Sequence, residues 1–161
     1  MDRAGKAGGM HPVIGGEFYV APRTRFDKQH GFDSEARHLG RLGQNETGYR
    51  NLLDMVSQAY IEGFYIKPRI DLNLLREHSE GLIALSACLA GEIPRRILAG
   101  NLAGAKEYAL QMQEIFGEGN YYLELQDPGI RDQAEVNRGL LRLHQETGIP
   151  LVCTNAPHPP R

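Results

Sequence analysis

At 161 residues, 41% hydrophobic and with a formal charge of -2, the chain has the size and composition of one soluble domain with a modest core, which excludes a disordered tail. Its 18 basic and 20 acidic residues exclude a global positive field for holding nucleic acid and leave room only for a local basic groove. Two cysteines, Cys88 and Cys153, and the lack of an apolar run long enough for a signal peptide or a membrane span, fit a reducing cytoplasm better than a disulfide scaffold.

The first predicted element is a strand over Pro12–Ala21, rich in β-branched and aromatic residues and closed by Pro22. Residues 23–37 read as a polar loop, and His38–Leu42 as a second, weaker strand. Gly48–Ile61 is a predicted helix, with Leu52, Met55, Val56 and Ala59 three or four positions apart. Asp71 caps a short helix carrying Leu74 and Leu75, and Leu82–Ser86 is a strand with too few polar residues to have a wet face. That strand lies in the most informative stretch of the chain, Gly81–Arg95, where an apolar run ends in Cys88 and Gly91 and then opens a helix.

Asn101 caps a longer helix with a stripe of Leu102, Ala105, Tyr108, Ala109, Met112 and Ile115, and Gly117 supplies a left-handed stop. Asn120–Gln126 is a strand. Asp132 and Glu135 form a capping box for a helix that ends at Gly148, just before the strand Pro150–Thr154. Strand, helix, strand with short links from residue 81 onward predicts parallel pairing, a pattern in which chemistry collects at the carboxyl ends of the strands. Cys88, Asp127 and His158 lie at or just past such ends.

Taken alone, these side chains carry modest signals. Cys88 reads as a small buried residue before it reads as a ligand. Glu17 alternates with Gly16 and Phe18 and is as readily an outward-facing carboxylate as a ligand. His38 and His158 stand in polar or proline-rich surroundings, where a solvated imidazole is the default. His11, His30, His78 and His144 have no motif around them, and Cys153 lies within an apolar strand and reads as core. Lys67, Arg69, Arg95 and Arg96 read as an ordinary solvated face or a basic edge. Glu92 reads as a first-turn acid or as a group that supports a ligand.

Gly48-Tyr49-Arg50-Asn51-Leu52, Glu62-Gly63-Phe64-Tyr65-Ile66-Lys67-Pro68-Arg69-Ile70-Asp71 and the Gly81–Arg95 stretch together resemble the PHP (polymerase and histidinol phosphatase) domain of bacterial DNA polymerase III alpha subunits, and the likeness runs from about Ala7 to Thr154. The resemblance implies an α/β fold, an incomplete PHP-type (β/α)7 distorted TIM-like barrel lacking the first two strands, with residues 1–161 covering strands three to seven and residues 155–161 forming an atypical proline-rich end. It also implies a metal site. The glutamate of the family's Gly-x-Glu strand matches Glu17, the histidine before the next strand matches His38, the cysteine of Cys-Leu-Ala-Gly-Glu-Ile-Pro matches Cys88, and the last histidine matches His158. Imidazole, thiolate and carboxylate suit zinc or manganese, and a divalent ion can activate water against a phosphodiester.

Three departures weaken that expectation. The family's His-x-His and Thr-Asp-His strands have no counterpart after Met1. Ala156 stands where the closing Thr-Asn-Asp-x-His motif carries a ligating aspartate, and Pro159-Pro160-Arg161 resembles the end of a truncated or frameshifted reading frame. The expected function is therefore a fragment of a replicative DNA polymerase, a DNA-directed nucleotidyltransferase whose magnesium-binding palm lies elsewhere in the parent. The segment itself is a docking scaffold or a degraded metal-dependent phosphoesterase or 3'-5' exonuclease site, without catalytic residues of its own and with weak zinc or manganese binding. The rival is a stand-alone phosphoesterase of the histidinol phosphatase type. Through the parent, the expected partners are DNA, a proofreading exonuclease, a sliding clamp and other replicase subunits. The expected location is the cytoplasm, with no membrane contact.

Overall fold

In a computed structural model, the chain is described over residues 7–9 and 13–155. The elements run β1 (Gly15–Val20), β2 (Arg37–Gly43), α1 (Glu46–Ile61), β3 (Arg69–Ile70), α2 (Leu72–Glu77), β4 (Leu82–Leu85), α3 (Glu92–Leu98), α4 (Leu102–Phe116), β5 (Tyr121–Leu125), α5 (Arg131–Thr147) and β6 (Leu151–Cys153). The six strands form one mixed sheet in the order β3-β1-β2-β4-β5-β6. β2 runs antiparallel to both β1 and β4, while β1/β3, β4/β5 and β5/β6 pair in parallel. Among the described residues β3 and β6 are the two edges of this sheet.

The parallel half follows from the chain's own punctuation. The Asn101 side chain accepts from the Gly104 N–H at 2.9 Å and opens α4, and Gly148 in the left-handed region closes α5, so each strand is followed by a helix that must cross back over the sheet. Asn45 opens α1 and Asp71 opens α2 in the same way, each accepting from the N–H three residues on. β3 was not foreseen: two residues behind Pro68 are too few to show a period, and only pairing with β1 makes them a strand. α5 begins after Ile130 with no side-chain cap, so the expected capping box of Asp132 and Glu135 does not form and Asp132 lies in the first turn. Gly117 does take a positive φ of 91°, but with ψ at 154° it is not the left-handed helical stop expected of it.

The core lies between one face of the sheet and the helices: Phe18, Val20, Leu39, Leu82, Ala84 and Leu123 from strands, with Met55, Leu75, Met112, Leu140 and Leu143 from helices. Leu52, Met55 and Ala59 of α1 face it as their spacing requires, whereas Val56 turns to solvent. Arg41 also lies on the buried face and is only 1% exposed. Its register partners on the two neighbouring strands are Gly16 and Ala84. Its guanidinium rests over the Phe18 ring, and among the described residues Nε, Nη1 and Nη2 have no hydrogen-bond partner, an isolation shared by the Tyr121 hydroxyl.

Arg69, expected on a solvated face, is buried. Its guanidinium donates to the carbonyls of Gly63, Asp33, Arg25 and Asp27 at 2.9 to 3.3 Å, which satisfies a loop backbone that would otherwise need water. Arg25 then bridges Glu62 and Asp71, and Arg23 pairs with Asp33. The polar loop between β1 and β2 is thereby tied to the α1 end and the β3–α2 junction.

Candidate metal centre

Glu17 and His38 meet because β1 and β2 are antiparallel. Glu17 lies opposite Gly40 and His38 opposite Tyr19, so the two are diagonal neighbours on the face of the sheet away from the helices. His38 Nδ1 and Glu17 Oε1 are 2.6 Å apart, and with its proton on Nδ1 the imidazole donates to the carboxylate. The Tyr19 ring stands edge-on to the imidazole, with centroids 4.9 Å apart and planes at 88°, and limits its rotation.

Cys88 arrives from β4, whose carboxyl end adjoins the start of β2 for the same antiparallel reason. Beyond Leu85 the chain turns through Ala87 at φ 66°, a left-handed conformation that costs a residue with a Cβ about 1–2 kcal/mol. The turn closes with Gly91 N–H on the Cys88 carbonyl at 2.8 Å, and His38 N–H donates to the Ala90 carbonyl at 3.1 Å, which couples the cysteine loop to the histidine backbone. Gly91 is required here: a Cβ would stand 2.4 Å from the Ser86 carbonyl oxygen.

The result is one carboxylate, one imidazole and one thiol whose donor atoms all lie within 4.8 Å of one another. Around a single ion with bonds near 2.0–2.3 Å, tetrahedral ligands are about 3.5 Å apart, so a modest contraction would let all three bind. The donor set fits. Nitrogen, sulfur and oxygen together suit zinc first and manganese less well, and three protein ligands leave one position open. Among the described residues this is the one His/Cys/Asp/Glu group of that kind.

The structure therefore brings together Glu17, His38 and Cys88, the first exposed and the other two half-buried. His158 and Ala156 fall outside the described residues, as does His11. Cys153, read as core, is exposed on β6, which among the described residues is an edge strand with no neighbour on its far side. Glu92 accepts from Arg37 Nε and Arg96 Nε, both at 2.8 Å, and so anchors α3 to the start of β2 beside His38. His78 and His144 make bonds to backbone carbonyls at the ends of their helices.

Sequence reasoning passed over Glu124. It is 8% exposed on β5; its N–H donates to Ser86 Oγ at 2.9 Å, and its carboxylate accepts from Thr154 Oγ1 and Gln126 Nε2. A carboxylate between Leu123 and Leu125 in a buried strand was the available signal. Its bond to Ser86 ties the segment leading to Cys88 to β5.

The chain matches the PHP domain family over residues 1–128. It is 48% identical over 153 residues to the DNA polymerase III subunit alpha of Treponema pallidum (strain Nichols), covering 94% of this chain and 13% of that protein. It is 46% identical over 154 residues to the subunit of the same name from Borreliella burgdorferi, covering 95% and 13%. With that of Thermus aquaticus it shares 44% identity over 152 residues, covering 93% and 12%. The chain thus spans about an eighth of the length of these curated relatives, and no helix among the described residues is long and apolar enough to cross a membrane. On the family match, and with Glu17, His38 and Cys88 converging on one face, the chain belongs to the PHP domain family.

Proposed function

We propose that the chain is the PHP segment of a replicative DNA polymerase of the alpha-subunit kind, corresponding to strands three to seven of the family barrel, and that it binds one zinc or manganese ion weakly through Glu17, His38 and Cys88. The observation that carries this reading is the convergence of the three donors within 4.8 Å. DNA synthesis belongs to other parts of the parent protein, where magnesium serves nucleotidyl transfer. Contacts with DNA, a proofreading exonuclease and a sliding clamp, and a cytoplasmic location, are part of the same proposal.

In this reading Cys88 supplies a thiolate, and His38 an imidazole whose ring is steadied by Tyr19 and by the carboxylate of Glu17. A divalent ion bound there would polarise a phosphoryl oxygen as a Lewis acid. Two-metal displacement also uses a carboxylate bridging both ions, and among the described residues Glu17 is the single carboxylate of the group. That favours binding and docking of a phosphate-bearing partner over its hydrolysis.

Titration of the intact chain with zinc against a chromogenic chelator tests the centre. Cys88→Ser should lower zinc affinity by about tenfold or more and manganese affinity far less, because a soft thiolate favours zinc. Equal affinities for the wild-type chain, Cys88→Ser and His38→Ala would remove the centre from consideration.

A further inference from the structure

We propose that Lys67 is the phosphate-holding cation of this centre, its ammonium gripping a non-bridging oxygen of a phosphate group set beside Glu17, His38 and Cys88; this rests on the metal-binding reading above. The Lys67 Nζ lies 4.4 Å from the centroid of the Tyr19 ring. Tyr19 is the same ring whose edge packs against His38 at 4.9 Å. Alternation along β1 puts Tyr19 on the same face as Glu17. A single aromatic ring therefore separates the ammonium from the imidazole.

The backbone that brings Lys67 there is strained. Tyr65 N–H donates to the Lys67 carbonyl at 3.0 Å across a tight turn, and the residue between them, Ile66, takes φ 65°. For a β-branched residue that is an outlier. Burial does not offset it, since Ile66 is 61% exposed. Immediately after the turn, Pro68 and the four bonds of buried Arg69 hold the chain, so the strain persists because both flanks are fixed. Residues kept in such conformations cluster at ligand clamps, where the surroundings over-determine them. The consequence of this one is the placement of Lys67 on Tyr19.

The Lys67 charge is unpaired among the described residues. Arg23, Arg25, Arg37, Arg95 and Arg96 are each paired with Asp33, Glu62, Asp71, Glu35 or Glu92, whereas Lys67 forms no ion pair with any described residue. A compact ammonium with three rotatable donors suits a phosphate oxygen whose position varies with the bound ion.

The test uses the intact chain, metal-free and zinc-loaded, titrated calorimetrically with inorganic phosphate and separately with a thymidine dinucleotide, which distinguishes a free or terminal phosphate from an internal diester. Lys67→Met should weaken binding of the preferred probe about tenfold, Lys67→Arg should stay within about threefold of wild type, and zinc affinity should be unchanged in both. Equal phosphate and dinucleotide binding by wild type and Lys67→Met in both metal states, or no binding by wild type at all, would overturn the proposal. Zinc affinity that falls with Lys67→Met would also overturn it, by showing that the lysine shapes the centre and does not hold its ligand. Failure of the metal reading looks different: no zinc uptake by wild type, with the metal-free comparison still deciding the role of Lys67.

Discussion

Arg41→Met should stabilise the protein. Arg41 is 1% exposed, and none of its three guanidinium nitrogens has a hydrogen-bond partner among the described residues. An uncompensated buried charge costs about 3–5 kcal/mol. The contact with the Phe18 ring returns about 2 kcal/mol at most, which leaves a net penalty of about 2 kcal/mol. Methionine follows the unbranched stem of arginine into the same space between Gly16 and Ala84 and brings no charge. In a domain of this size each kcal/mol moves the midpoint by about 2–4 °C, so thermal unfolding followed by circular dichroism should shift upward by about 4–8 °C. The pH dependence gives a second check. Burial holds the folded-state pKa of Arg41 well below its ordinary value, so the unfolded chain binds this proton more readily. The stability withheld by Arg41 is therefore recovered only as pH rises through its folded-state value toward the ordinary arginine value, and the gap between variant and wild type should narrow in that alkaline direction. A methionine variant that melts at or below the wild-type temperature would refute the reasoning, since it would mean that the guanidinium is compensated in the folded protein.

Three further outcomes are expected. Ala87→Gly should relieve the left-handed strain at φ 66° and raise stability by about 0.5–1 kcal/mol in urea unfolding, because glycine takes this conformation without a Cβ clash. Asp71→Ala should cost about 2–4 kcal/mol by the same measurement, since its nearly buried carboxylate both caps α2 at Leu74 N–H and pairs with Arg25. Hydrogen bonding from Arg23 holds the Asp33 carboxyl below the usual carboxylate range, so its contribution is present above the unfolded value and lost as pH falls through the folded one. Asp33→Asn should accordingly flatten the acid limb of the stability–pH curve; an unchanged limb would place the acid sensitivity elsewhere.

Much of the local order was legible from residues alone. Asp71 and Asn101 open their helices through bonds that span three residues, whereas the cap Asn45 starts α1 two residues before the Gly48 read from the sequence; the alternation after residue 81 foretold the parallel run β4-β5-β6 because each helix can only return its chain to the same sheet direction. The membership of Glu17, His38 and Cys88 in one centre came from motif resemblance, not from spacing, since they are separated by long stretches of chain. Their convergence, and the side of the sheet they share, depend on β2 running antiparallel to β1 and β4. Strand pairing of this kind is non-local, and a register shift of one residue would send each side chain to the opposite face. The same applies to the misjudged residues. Cys153 lies on an edge strand, Arg69 becomes the hub of a loop folded over it, and two residues after Pro68 become a strand only against β1. Apart from β3, sequence patterning determined which segments are helix or strand, because caps and hydrophobic periods act within a few residues. Which polar groups are buried, and which meet, was decided by tertiary packing, because it depends on what the rest of the chain places on top of them.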